Sequence, residues 1–182
     1  MKKIMIALLA LTVTFLTTTE ATAQKFRGLD KSPMDVAAYP SDYKESSKLV
    51  KVQYSRPQLK ERALSKLAPN DKVWRTGANE AAEITFYKPM MVGSTLVQPG
   101  TYSLFTVPGD KTWTIIINKA SNVWGSYSYD KKMDVARTTG KVMKGDTNLE
   151  AFSIAFDESK DGATMYMGWG DVVVATDLKK TN

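Results

Sequence analysis

The chain has 182 residues, 25 basic and 19 acidic side chains, a formal charge of +6, and neither cysteine nor histidine. That double absence excludes disulfides, a lipid-modified cysteine anchor, Ser-His-Asp and Cys-His catalysis, zinc or copper sites of the usual nitrogen and sulfur kind, and haem held by histidine. Chemistry is left to carboxylates, Lys, Arg, Tyr, Ser and Thr; an oxygen-ligated Ca²⁺ or Mg²⁺ stays allowed, but no cofactor or metal ligand set is legible.

Residues 1–23 carry the pattern of an export signal: Lys2 and Lys3 lead, Ile4 to Leu16 is almost wholly apolar, and Ala21-Thr22-Ala23 offers a small-x-small cleavage site. An apolar run of about 13 residues falls short of the roughly 20 that span a bilayer core as a helix. The sequence therefore predicts cleavage after Ala23, a periplasmic or secreted product, and no transmembrane anchor after cleavage. Loss of Lys2, Lys3 and Glu20 lowers the charge from +6 to +5. The remaining basic residues are scattered from Lys25 to Lys180 among acids, so nucleic acid is not an expected partner.

From Gln24 to Ser47 the chain is polar and broken by Pro33 and Pro40, which predicts an irregular N-terminal segment. A single β-sandwich domain is predicted over 48–182. In "KLVKVQY" (48–54), Val50, Val52 and Tyr54 fall on one face of a strand and Lys51 and Gln53 on the other. "QLKERALSKLA" (58–68) alone has helical spacing, enough for about two turns. "AAEITFY" (81–87) returns to period two. Beyond it, β-branched and apolar runs alternate with turn signals at Gly93-Ser94, Pro99-Gly100 and Pro108-Gly109-Asp110; the last predicts a hairpin between "TYSLFTV" and "TWTIIIN". "DVARTTGKV", "LEAFSIAF", "ATMYMGW" and "DVVVATDL" complete roughly nine short strands with no helical crossover between them, the pattern of an antiparallel sandwich.

"VWRTGANEA" (73–81) concentrates polar groups between two apolar runs. Its residue types support a turn, with Trp74 in the core, Gly77 and Asn79 tolerating positive φ, and Arg75 paired with Glu80. A second concentration, "NVWGSYSYD" (122–130), carries Trp124, Tyr127 and Tyr129. In an extended segment the two tyrosines share a face, either as packing or as a stacking surface to which Trp113 and Trp169 can add. "DESKDG" (157–162) reads as a hairpin turn, since it lacks the alternating ligands of a calcium loop. "SDYK" (41–44) and "ARTTGKVMKGD" (136–146) match catalytic or phosphate motifs only in part.

The strings "SPMD" (32–35), "YSRP" (54–57), "VWRTGANEA", "PGTYSLFTVPG" (99–109) and "WTIIINK" (113–119) occur in an order and spacing that resembles the bacterial domain-of-unknown-function family 2911, DUF2911. The resemblance covers about Asp30 to Leu178. It implies an exported protein, typical of Bacteroidota, with no assigned activity. Such relatives often carry Lys-Gly-Arg where this chain has Lys60-Glu61-Arg62, which weighs against a role needing close backbone approach at position 61.

Within those strings, Arg56, Arg75, Thr76, Asn79, Glu80, Ser32 and Asp35 are polar types that a core does not need. They suit a pocket for an anion or sugar, because Arg presents a bidentate fork and Asn both donates and accepts; they suit equally a polar clasp that pins the N-terminal segment. Three functions stay open. The chain binds a small polar ligand, a glycan or an envelope partner; or it is a hydrolase using Glu80 with Asp35, which requires a carboxyl separation of about 5 to 9.5 Å; or it is a structural envelope module.

Overall fold

A computed structural model describes residues 24–181 of the protein. The export signal expected over 1–23 lies outside the described residues. Nine strands and one short helix follow in chain order: β1 (Met34–Tyr39), β2 (Val50–Ser55), α1 (Leu64–Leu67), β3 (Ala82–Phe86), β4 (Met90–Val92), β5 (Thr95–Val97), β6 (Gly100–Val107), β7 (Thr112–Asn118), β8 (Asp134–Ser159) and β9 (Gly162–Lys180). All are antiparallel in one sheet of order β1-β2-β3-β6-β7-β8-β9-β4-β5.

The period-two alternation of the sequence is the burial pattern of the strands. Val50, Val52 and Tyr54 of β2 and Ala82, Ile84 and Phe86 of β3 are buried. The Pro108-Gly109-Asp110 hairpin joins β6 to β7, and the turn at Lys160 and Asp161 joins β8 to β9. The helix is shorter than expected, a single turn at Leu64–Leu67, because Gln58 bridges to Ala151 and Lys60 and Glu61 adopt φ of 48° and 63°. Part of the segment expected to be irregular, Met34–Tyr39, is β1, paired along its whole length with β2.

The four late strand segments of the sequence merge into two long strands of 26 and 19 residues. Straight, β8 would run roughly 90 Å at about 3.4 Å per residue, several times the radius of gyration of about 15 Å expected for a domain this size, so it has to bend. Its register shifts between Lys144 and Leu149 and again before Ser153, opposite Gly170, whose φ of 63° suits glycine. The bend folds the sheet over itself. The continuation of β2 then meets the middle of β8: Leu59 N donates to Glu150 O at 2.9 Å and Phe152 N to Pro57 O at 2.9 Å.

Between the halves lies the main core. Trp74 stacks on Trp169 (ring centroids 5.5 Å, interplanar angle 17°) and meets Trp113 and Phe152 edge-on at 6.0 and 5.0 Å. A second apolar cluster, Phe105, Ile116 and Ala81, lies on the other side of β6 and β7. Burial on both faces explains the unbroken "IIIN" run, since a strand covered on two sides has no solvent face to alternate with. The outer cover comes from two irregular segments, contributing Val73, Val123 and Tyr129.

Candidate functional site

Residues 73–81 and 122–126 run antiparallel across the outer face of β6 and β7. Trp74 N donates to Thr106 O at 2.7 Å, Ala81 N to Val123 O at 2.9 Å, Gly125 N to Asn79 O at 3.0 Å, and Ser126 Oγ to Val73 O at 3.1 Å. The positive φ angles fall on Thr76 (55°) and Asn79 (60°) rather than on Gly77. Left-handed backbone at a β-branched residue costs on the order of 1–3 kcal/mol and persists only where the surroundings hold it. Thr76 is fully buried, with its hydroxyl 3.2 Å from that of Thr106. Gly77 serves close approach instead: a Cβ there would stand 3.0 Å from Ser55 O.

Arg75 does not pair with Glu80. It lines a cleft of about 440 Å³ together with Lys31, Lys60, Arg62, Ser32, Gln58 and Asn79. Among the described residues none of these four cations has a carboxylate oxygen within 4.0 Å. The Arg62 guanidinium is partly occupied, donating to Leu59 O at 2.8 Å and Gln58 O at 2.7 Å. Arg75 is half-buried, and its Nε is buried without a hydrogen-bond partner among the described residues. Burial lowers its pKa, with the nearby Tyr127 acting in the opposite direction. Two acids stand close by: Asp30, whose carboxyl is held below its ordinary value by the Ser32 N–H at 2.7 Å and then by the Asn79 side chain, and Glu150, whose Oε1 accepts from Lys60 N at 2.7 Å. Glu61 holds a left-handed backbone, φ 63°, the conformation that glycine adopts with least strain.

Glu80 lines a separate cleft of about 180 Å³ with Gln53, Tyr54, Ser55, Glu83 and Asn122, and this cleft shares no lining residue with the first. Glu80 is exposed and bridges to Trp124. Trp124 is 61% exposed and Tyr127 89%. Residues 125–128 form a turn, so Tyr127 and Tyr129 do not share a strand face as the extended reading requires. Tyr129 packs edge-on against Phe105 at 5.2 Å, and its hydroxyl donates to Asp134 Oδ2 (2.8 Å) and accepts from Arg137 Nη1 (2.9 Å). Trp113 and Trp169 are core residues and add nothing to an exposed aromatic surface.

Arg56 and Asp35 form a third group. Arg56 Nη1 meets Asp35 Oδ2 at 3.1 Å, Nε donates to Phe152 O at 3.1 Å, and Nη2 donates to Ser153 Oγ at 2.7 Å. One guanidinium thus ties edge strand β1 and the end of β2 to β8, as a polar clasp does. Of the seven residues singled out in the sequence, Ser32, Arg75 and Asn79 come together; Arg56 and Asp35 clasp the fold, Glu80 lies in its own cleft, and Thr76 is inside. Sequence reasoning missed Lys31, Lys60, Arg62 and Gln58 in the first cleft and Gln53, Glu83 and Asn122 in the second. The helical reading of 58–68 hid three of them, since it spread Gln58, Lys60 and Arg62 around a helix, whereas the irregular chain brings them to one cleft.

Among the described residues no group of three or more acids is placed to hold a metal ion, and no helix is long and apolar enough to cross a membrane. A family model described as "Protein of unknown function (DUF2911)" matches residues 32–178. No curated protein and no solved structure matches the chain.

Proposed function

The chain belongs to that family, DUF2911, and we propose that it is an exported binding protein whose basic cleft holds the anionic group of a small ligand, a carboxylate, phosphate or sulfate. Arg75 carries this reading. A buried donor left without a partner costs on the order of 1–3 kcal/mol, more when it belongs to a charged group; Nε has no accessible surface as it stands, and a small shift of the Arg75 side chain toward an anion seated in the cleft would give it the missing acceptor. Guanidinium offers a bidentate fork for such groups, and Lys31, Lys60 and Arg62 add positive charge around it. Strained Thr76 and Asn79 on either side of Gly77 keep the connection in one shape, which lowers the ordering cost of binding. Export rests on the pattern of residues 1–23.

The hydrolase alternative loses its acid and base pair, since Asp35 is bound to Arg56 and the carboxylate that shares the cleft of Glu80 is Glu83. A purely structural role accounts for Arg56 and leaves the orphaned Nε of Arg75 unexplained. The test is the melting temperature with inorganic phosphate, sulfate or glucuronate at constant ionic strength, compared between the natural chain and Arg75→Met.

A further inference from the structure

We propose that the cleft of Glu80 is a sugar-ring subsite, in which Trp124 supplies the stacking face and Glu80, Glu83, Gln53 and Asn122 hydrogen-bond the ring hydroxyls. The proposal does not depend on the basic cleft, with which this one shares no residue.

The bridge between Glu80 and Trp124 is antiparallel. Directly opposed residues of an antiparallel pair put their side chains on the same face, with Cβ atoms about 5 Å apart. The indole therefore stands on the face to which Glu80 belongs. Of the four tryptophans, Trp74, Trp113 and Trp169 are 5%, 4% and 2% exposed, and Trp124 is 61% exposed. A large ring left in water beside a polar cleft is the informative exception to burial.

The polar groups are matched to hydroxyls. A sugar hydroxyl both donates and accepts, and this set has carboxylates that accept beside amides that do both. One oxygen of Glu83 accepts from Asn122 N at 2.9 Å, which fixes that carboxylate against the segment bearing Trp124. Two carboxylates repel an anion. A cation would find them and the indole favourable, but the amide donors of Asn122, and the one Gln53 keeps beyond its bond from Nε2 to Met34 Sδ at 3.0 Å, would face it unused, so a ligand with both donors and acceptors fits better. The cleft, of about 180 Å³, is open and Trp124 is not part of its lining, so a pyranose would seat its hydroxyl-bearing edge among the polar groups and lay one face on the indole outside.

Trp124 also provides the readout, because the other three indoles are shielded from a neutral quencher. Acrylamide quenching of the purified protein is measured with methyl glycosides of glucose, galactose, mannose and N-acetylglucosamine, with tetrasaccharides of each, and with choline as the cation control. Trp124→Phe identifies the accessible emission. The proposal predicts that at least one sugar lowers the quenching constant of that emission about twofold or more. It also predicts that Glu80→Gln and Asn122→Ala each weaken that sugar about tenfold, the scale of one lost hydrogen bond, while near-ultraviolet circular dichroism shows both variants folded. It is overturned if no sugar protects Trp124, if choline protects it and sugars do not, or if folded Glu80→Gln and Asn122→Ala bind the sugar as the natural chain does. Anion binding at Arg75 is read separately, by melting temperature, so either reading can fail without the other.

Discussion

Arg75 and Glu80, five residues apart in one connection, face different clefts: Arg75 stands among Lys31, Lys60 and Arg62, and Glu80 stands with Glu83 and Asn122. A turn that merely closed a loop would gain by pairing the two charges. Their separation leaves a buried guanidinium nitrogen unsatisfied among the described residues, an exception in folded proteins that calls for an explanation.

Arg56→Ala should destabilise the protein by about 1–2 kcal/mol. Its guanidinium joins Asp35, Phe152 O and Ser153 Oγ, but its side chain is 35% exposed, so solvent screens part of the pairing. A shift of that size lowers the melting temperature of a chain this long by roughly 2–4 °C per kcal/mol. A melting temperature equal to that of the natural chain would remove Arg56 from the clasp.

Gly77→Ala should cost about 1–3 kcal/mol, the usual range for an overpacked site. The added Cβ meets Ser55 O at 3.0 Å, and both are fixed by backbone, so neither can swing aside. Urea denaturation measures the loss. If the midpoint is unchanged, Gly77 has slack that the structure does not contain.

The strands that position the clefts were largely legible in the sequence, and the clefts were not. Val50, Val52 and Tyr54, or Ala82, Ile84 and Phe86, alternate because each strand has one wet face, and that period survives in the letters. The bend in β8 leaves no such mark: "DVARTTGKV" and "LEAFSIAF" read as two strands because the register shift between Lys144 and Leu149 interrupts the pattern without ending the ladder. Arg75 was singled out on residue type and string specificity. Its companions Lys31, just before β1, and Lys60, just after β2, reach it only through the path of the irregular chain, which no local period encodes. The same holds for Asn122 and Glu83, 39 residues apart and joined by a hydrogen bond.

Alkaline pH should weaken the fold from about pH 10 upward. Burial raises the pKa of the Tyr39, Tyr54 and Tyr129 hydroxyls above the ordinary value of 10.0. The unfolded chain ionises these groups first, so their contribution is complete below about pH 10 and is lost as the pH rises toward the folded values. Tyr54→Phe should lower stability at neutral pH by about 1 kcal/mol, because Ile154 N loses its acceptor at 2.8 Å, and should flatten the alkaline slope. Urea midpoints between pH 8 and pH 11 check this; an equally steep slope in the variant would show that Tyr54 does not contribute to it.

The most direct measurement is the melting temperature of the natural chain and of Arg75→Met with inorganic phosphate, sulfate or glucuronate, each against chloride at the same ionic strength. At an anion concentration about 100 times Kd, binding stabilises the folded state by about 2.7 kcal/mol, equivalent to a rise of roughly 5–10 °C. At least one of the three anions should raise the melting temperature of the natural chain on that scale. Arg75→Met should melt no lower than the natural chain without ligand, since it removes an unsatisfied buried donor, and should show no rise with it. No shift with any of the three anions, or the same shift in both proteins, would contradict an anion site at Arg75.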